Sequence, residues 1–209
     1  MRESAETQQM WDAMYREKER VWTGRANVRL VEVAADLTPG RALDLGCGEG
    51  GDCKWLAAHG WQVTAVDISE EALRRAAEDA GDLAARIDFQ HHDLTQTFPA
   101  GEFDLVSAQF LHSPVDWDRY TLLRRAAGAV APGGVLLIVD HGGAPPWSSR
   151  LKDHHHHEFP SAQEVVEGLA LDAAEWDRVR VDKVDREATG PEGEVAIIPD
   201  NVMVLRRKT

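Results

Sequence analysis

Positive charge is scarce in this chain. Of 209 residues, 23 are lysine or arginine against 36 aspartate or glutamate, a formal net charge of -13. A surface of that sign gains nothing from displacing counterions on a phosphate backbone, so nucleic acid is not an expected partner. Cysteine is scarcer still: Cys47 and Cys53 lie in and just after a glycine-rich turn, where a disulfide would immobilise the loop. Both read as reduced thiols, and neither as a nucleophile. No apolar run is long enough to cross a bilayer, and Met1-Arg2-Glu3-Ser4-Ala5-Glu6 lacks the hydrophobic segment of a secretory signal. The expectation is a cytoplasmic protein with no membrane partner; nothing in the sequence bears on its oligomeric state. Repeats, linkers and low-complexity stretches are absent too. The chain therefore reads as one domain over residues 1–209, with a helical cap over 1–37 and a core over 38–209.

What is present centres on Ala42-Leu43-Asp44-Leu45-Gly46-Cys47-Gly48-Glu49-Gly50-Gly51. Leucines flanking an aspartate read as a buried strand, and Gly46 and Gly48 allow a tight turn that exposes backbone N–H groups before a helix. The spacing Gly46, Gly48, Gly51 also matches G-x-G-x-x-G, so the glycines alone leave the ligand open. A second acid, Asp67, closes the next apolar run, Val63-Thr64-Ala65-Val66. An acid there can accept hydrogen bonds from both hydroxyls of a ribose.

Asp-Leu-Gly-Cys-Gly followed by Val-Asp-Ile-Ser resembles motif I and the ribose-binding acid of the class I S-adenosylmethionine-dependent methyltransferases. The resemblance implies a Rossmann-like α/β fold, a seven-stranded mostly parallel sheet with an antiparallel last strand and helices on both faces. It implies S-adenosyl-L-methionine as cofactor. It assigns the methionine part of that cofactor to Asp44, Gly46, Cys47 and Gly48, its ribose to Asp67 with Ile68 beside it, and its adenine to Asp93 with the apolar Leu94. Val21-Trp22-Thr23-Gly24-Arg25-Ala26-Asn27 resembles a segment that closes over the cofactor in small-molecule members, which adds Trp22 and Asn27. The size and small cap look like the tellurite-resistance and thiopurine-type subgroup, whose acceptors are soft nucleophiles such as thiols, selenium and tellurium species.

The rest of the chain alternates helix and strand signals. Met10, Trp11, Met14 and Tyr15 make an apolar stripe on a helix from about Ser4 to Lys18, and Val28 to Leu37 is a second helix. Ser69, with Glu70 and Glu71 behind it, is an N-cap, and Pro160-Ser161-Ala162-Gln163-Glu164 a capping box. A helix is expected from about Trp117 to Val130, an apolar strand from Val135 to Val139, and an antiparallel pair from Arg178 to Glu187 and Glu194 to Leu205. Phe103 to His112 forms the fourth strand and its exit. In an open parallel sheet the ligand lies beyond the carboxyl ends of the strands, which places Gln109, Phe110, Leu111 and His112 at the pocket. Ala108-Gln109-Phe110-Leu111 differs from the Asn/Asp-Pro-Pro-Tyr/Phe of methyltransferases that act on base or amide nitrogens.

Methyl transfer from a sulfonium depends on alignment and exclusion of water, and a proton acceptor is needed only for acceptors that arrive protonated. His112 and His141, at two strand exits, are the candidates for that role. His154-His155-His156-His157 falls in a loop expected to overhang the acceptor. Alternation in an extended strand gives any one ion only two of the four, an incomplete site, so lining the pocket is the expected role and no metal is assigned. Two other functions fit the glycine turn, an NAD-dependent oxidoreductase and a protein that binds S-adenosylmethionine without catalysis. Against the first, Tyr120 is followed four places on by Arg124, not Lys.

Overall fold

The computed structural model describes residues 2–115, 117–147, 159–190 and 192–209. Its elements are α1 (Arg2–Arg16), α2 (Val28–Ala34), β1 (Arg41–Leu45), α3 (Gly51–Ala58), β2 (Gln62–Asp67), α4 (Glu70–Ala80), a 3-10 turn (Gly81–Arg86) and β3 (Ile87–His91). They continue with β4 (Phe103–Gln109), α5 (Arg119–Gly128), β5 (Val130–His141), α6 (Ala162–Leu169), β6 (Trp176–Thr189) and β7 (Val195–Arg207). The seven strands form one sheet in the order β3-β2-β1-β4-β5-β7-β6. Strands β1 to β5 pair in parallel, and β7 runs antiparallel to both of its neighbours, β5 and β6.

Two apolar layers hold the helices against the sheet. On one face Leu122, Leu123 and Ala126 of α5 and Val165 and Leu169 of α6 cover Leu43, Leu45, Leu136, Ile138 and Met203. On the other, Leu30 and Ala34 of α2 and Cys53 and Leu56 of α3 cover Ala42, Val63, Leu105, Leu137, Val139 and Val202. Strands buried on both faces explain the near-continuous apolar runs of β1, β4 and β5.

Local capping follows the expected chemistry. Ser69 accepts from Ala72 N–H at 3.1 Å, and Ser161 and Glu164 exchange both bonds of a capping box. Two expectations shift. Strand β5 begins at Val130, where α5 was expected to end, because the Pro132-Gly133-Gly134 turn is taken up in a strand whose register against β4 slips between Phe103 and Leu105. On α1 the buried residues are Asp12 and Tyr15, while Met10 is exposed. Asp12 faces inward because it accepts from Ser69 Oγ at 2.6 Å and from Glu71 N–H at 3.2 Å. That polar bond docks α1 on the N-terminus of α4.

Among the described residues no helix is long and apolar enough to cross a membrane.

Candidate cofactor and acceptor site

The carboxyl ends of β1, β2, β4 and β5, the loop after β3 and the segment joining α1 to α2 enclose a cavity of about 880 Å³. It is lined by Trp22, Asn27, Asp44, Gly46, Cys47, Gly48, Asp67, Ile68, Asp93, Leu94, Gln109, His112 and His141, and by Phe110 and Leu111, all of which were singled out above. His154 to His157 lie outside the described residues.

Gly46 and Gly48 have φ of +70° and +53°, a region that favours glycine. Their backbone donors, expected to face a ligand, are spent inside the turn. Gly46 N–H and Cys47 N–H both donate to Val66 O, at 2.8 and 3.0 Å, and Gly48 N–H donates to Asp67 Oδ2 at 2.9 Å. The turn is tied to the end of β2 because that strand offers a carbonyl and a carboxylate within reach. The other Asp67 oxygen accepts from Ser69 N–H at 2.8 Å. Cβ atoms at Gly46 and Gly48 would meet Leu111 Cδ1 at 2.6 Å and the Tyr15 hydroxyl at 3.1 Å, so these glycines admit neighbouring side chains.

Several buried acids crowd this end. Burial pushes the Asp44 carboxyl well above its usual range, and the charges of Asp52 and Asp67 add to it. Burial also raises Asp52 to about 6, against a hydrogen bond from Asn27 N–H at 2.5 Å. Burial raises Asp67, while N–H bonds from Ser69 and Gly48 oppose the rise. Cys47 is held as a thiol by burial and by the neighbouring Cys53, Asp67 and Asp44, in keeping with a spectator sulfur. Beyond β3, Asp93 titrates low in spite of burial, because the Ser4 and Thr95 hydroxyls and Thr95 N–H bond its carboxylate.

Residues of α1 and the α1–α2 segment close the cavity, and their anchor, Glu49, was not singled out in the sequence. Its carboxylate is buried and accepts from Val21 N–H at 3.1 Å, Trp22 N–H at 2.9 Å and Arg75 Nη1 at 3.1 Å. Trp22 Nε1 donates to the Tyr15 hydroxyl at 3.1 Å, and the indole is half exposed at the cavity mouth. Asn27 caps α2, its side chain accepting from Arg29 N–H at 2.9 Å.

At the opposite end, His112 Nε2 lies 3.3 Å from Asp140 Oδ1. Asp140 is buried, and it stays ionised against that burial because His112 and Arg119 both bond it. The His141 ring stacks on Phe110, with centroids 4.5 Å apart. Burial, then the nearby His112 charge, lowers the His141 pKa and leaves the ring neutral at pH 7.

Two buried acceptors on this cavity have no protein partner among the described residues, Asp44 Oδ2 and Gln109 Oε1. They stand on the adjacent strands β1 and β4. An unpaired buried carboxylate oxygen is costly unless something donates to it, and an ammonium group is the donor that also relieves the charge. The arrangement therefore fits the amino-acid end of S-adenosylmethionine.

Residues 42–134 match the family described as a methyltransferase domain. Over 103 residues, 48% of this chain, the sequence is 36% identical to a ubiquinone biosynthesis O-methyltransferase from Aromatoleum aromaticum. The matched stretch covers 43% of that relative, and the chain spans less than half the length of the curated relatives it matches. A structure solved in work on the conversion of a disulfide bond into a thioacetal group during echinomycin biosynthesis is 27% identical, with a TM-score of 0.74, covering 96% of this chain and 93% of that one. The N-methyltransferase NodS from Bradyrhizobium japonicum, in complex with S-adenosyl-L-homocysteine, shares the fold at 18% identity and a TM-score of 0.66, covering 97% and 98%. Residues 42–134, which match a methyltransferase domain, hold the glycine turn bound to Asp67 and the unpaired acceptors Asp44 Oδ2 and Gln109 Oε1 beside it, an arrangement similar to the cofactor-binding core of the class I S-adenosylmethionine-dependent methyltransferases.

Proposed function

We propose that this protein methylates a small molecule, and that the acceptor is a soft nucleophile such as a thiol. The observation that carries the first part is the pair of unpartnered buried acceptors, Asp44 Oδ2 and Gln109 Oε1, on a cavity that continues to an aromatic end at Phe110 and His141. When bound, S-adenosylmethionine supplies a methyl group on a sulfonium that an aligned nucleophile displaces. Asp44 would hold its ammonium and Asp67 its ribose hydroxyls, while Asp93 meets the adenine amino group and Ile68 and Leu94 pack on the ring. Trp22 and Asn27 close over it and exclude water, and the indole face suits a cationic sulfur. A net charge of -13 favours a small acceptor over nucleic acid.

The finer claim, a sulfur-type acceptor, is supported by the likeness to the protein of the disulfide-to-thioacetal conversion. A thiolate attacks without help, so the geometry then needs only to orient it. A second reading, a hydroxyl acceptor, is favoured by the His112–Asp140 contact and by the O-methyltransferase relative. Asp140 would hold Nε2–H, leaving His112 Nδ1 to take the acceptor proton.

One experiment separates these. Transfer of labelled methyl is followed to a panel of thiols and phenols by the parent protein and His112→Gln. Turnover of thiols that survives His112→Gln supports the first reading. Turnover of phenols that falls by about 10²–10⁴ in the variant supports the second. Tight binding of S-adenosylmethionine with no transfer to any acceptor would favour a cofactor sensor, and tight binding of NAD would overturn the assignment.

A further inference from the structure

Arg186 lines the cavity, and none of the roles above uses it. It stands on β6, and its Nε donates to both carboxylate oxygens of Asp200, at 3.0 and 2.9 Å. Asp200 is fully buried and is braced from a second side by Arg29 Nε at 3.4 Å. Arg29 is buried as well, and its remaining donors go to Glu32 Oε1 at 2.6 Å and to the Asp185 carbonyl at 3.0 Å. The Asp200 carboxylate thus sits between two guanidinium groups and orients Arg186, while Arg29 has a second carboxylate partner in Glu32. Among the described residues the two Nη groups of Arg186 donate to no protein acceptor. A fork held by its Nε with its ends left over is the form in which arginine recognises a planar anion.

An aromatic shelf lies beside that fork. The guanidinium carbon is 5.9 Å from the centroid of the Phe110 ring, His141 stacks on Phe110, and Phe159 meets His141 edge-on at 6.4 Å. Phe110 reaches this place through a φ of +49°, which a bulky residue rarely adopts, fastened by its N–H to Val139 O at 2.7 Å.

We propose that this corner binds the carboxylate of an aromatic methyl acceptor, with the ring along Phe110 and His141 and the charge on the Arg186 fork. The inference rests on the cavity being a methyltransferase site and narrows its acceptor to a planar aromatic anion. It is tested by calorimetry on the protein loaded with S-adenosylhomocysteine, with 2-naphthoate and its neutral isostere 2-naphthamide as probes. The carboxylate should bind about tenfold or more tightly at low salt, and the ratio should shrink to about threefold or less in Arg186→Gln, with S-adenosylhomocysteine affinity unchanged. Arg186→Lys keeps the charge without the fork, should give an intermediate ratio, and decides the matter if the glutamine variant does not fold. Equal affinities in the parent protein, or a ratio that survives substitution of Arg186, overturn the inference and leave the methyltransferase reading standing. Failure of S-adenosylhomocysteine itself to bind overturns both.

Discussion

Asp67 serves the turn and the cavity with one carboxylate. Each oxygen takes an internal N–H, from Gly48 and Ser69, and each retains a lone pair for a ribose hydroxyl. Asp67→Ala should therefore lower S-adenosylmethionine affinity by at least the ~1.5–3 kcal/mol of a charge-assisted bond, and also lower the melting temperature, because two buried N–H groups lose their acceptor. Calorimetry and thermal melting read the two effects separately; unchanged affinity would remove Asp67 from the cofactor site. Gly48→Val should leave a folded protein with little cofactor affinity, since a β-branched residue at φ +53° is strained and its Cβ reaches the Tyr15 hydroxyl and Trp22 Nε1. Normal binding by this variant would make the turn merely structural. The need for glycine beside Asp44 was legible in the sequence because the motif is local, strand, turn and helix following one another within ten residues, and Asp67 was legible as the acid that closes the next apolar run. What the glycines meet was not, because Leu111, Tyr15 and Trp22 arrive from distant parts of the chain.

Elements show the same division. Caps at Ser69 and Ser161 and the closing antiparallel pair depend on neighbours in sequence, and their signals were readable there. The inward face of α1 was legible only in part: of the apolar stripe Met10, Trp11, Met14 and Tyr15, Tyr15 is buried and Met10 exposed, whereas the docking contact is the buried Asp12 with Ser69, 57 positions away. Glu49 is a similar case, because nothing nearby in sequence distinguishes an acid that will receive two backbone N–H groups 27 and 28 residues earlier. These bonds make Glu49 the fastening of the α1–α2 segment over the cavity. Glu49→Ala should free that segment while leaving the sheet intact. The expected result is faster tryptic cleavage at Arg20 and Arg25 and faster release of S-adenosylhomocysteine in stopped-flow, with little change in the melting temperature. Cleavage at the parent rate would mean that the segment's other ties, Trp22 to Tyr15 and Asn27 to Asp52 among them, hold it without Glu49.

At the scale of the whole molecule, the excess of acid is carried into the cavity as well as onto the surface. Asp52 has its pKa raised to about 6 by burial, and Asp44 is raised by burial and by its neighbours Asp52 and Asp67. A carboxyl whose pKa is higher folded than unfolded contributes stability that is complete below the unfolded value and is lost as pH rises through the folded one. The unliganded protein should thus lose stability as pH rises from about 4 through about 6, the window set by Asp52, with Asp44 extending the loss upward. A bound cation reverses the penalty, so S-adenosylmethionine binding should release protons and tighten with pH over the same window. Scanning fluorimetry against pH, with and without cofactor, and calorimetry in buffers of different ionisation enthalpy measure both halves. Asp44→Asn separates the contributions: at pH 7 it should raise the melting temperature of the unliganded protein by removing a carboxyl whose ionisation burial opposes, and weaken cofactor binding by removing the partner of the ammonium. A variant that melts and binds as the parent does would show that Asp44 neither strains the fold nor meets the cofactor, and the orphaned oxygen on β1 would then need a different donor.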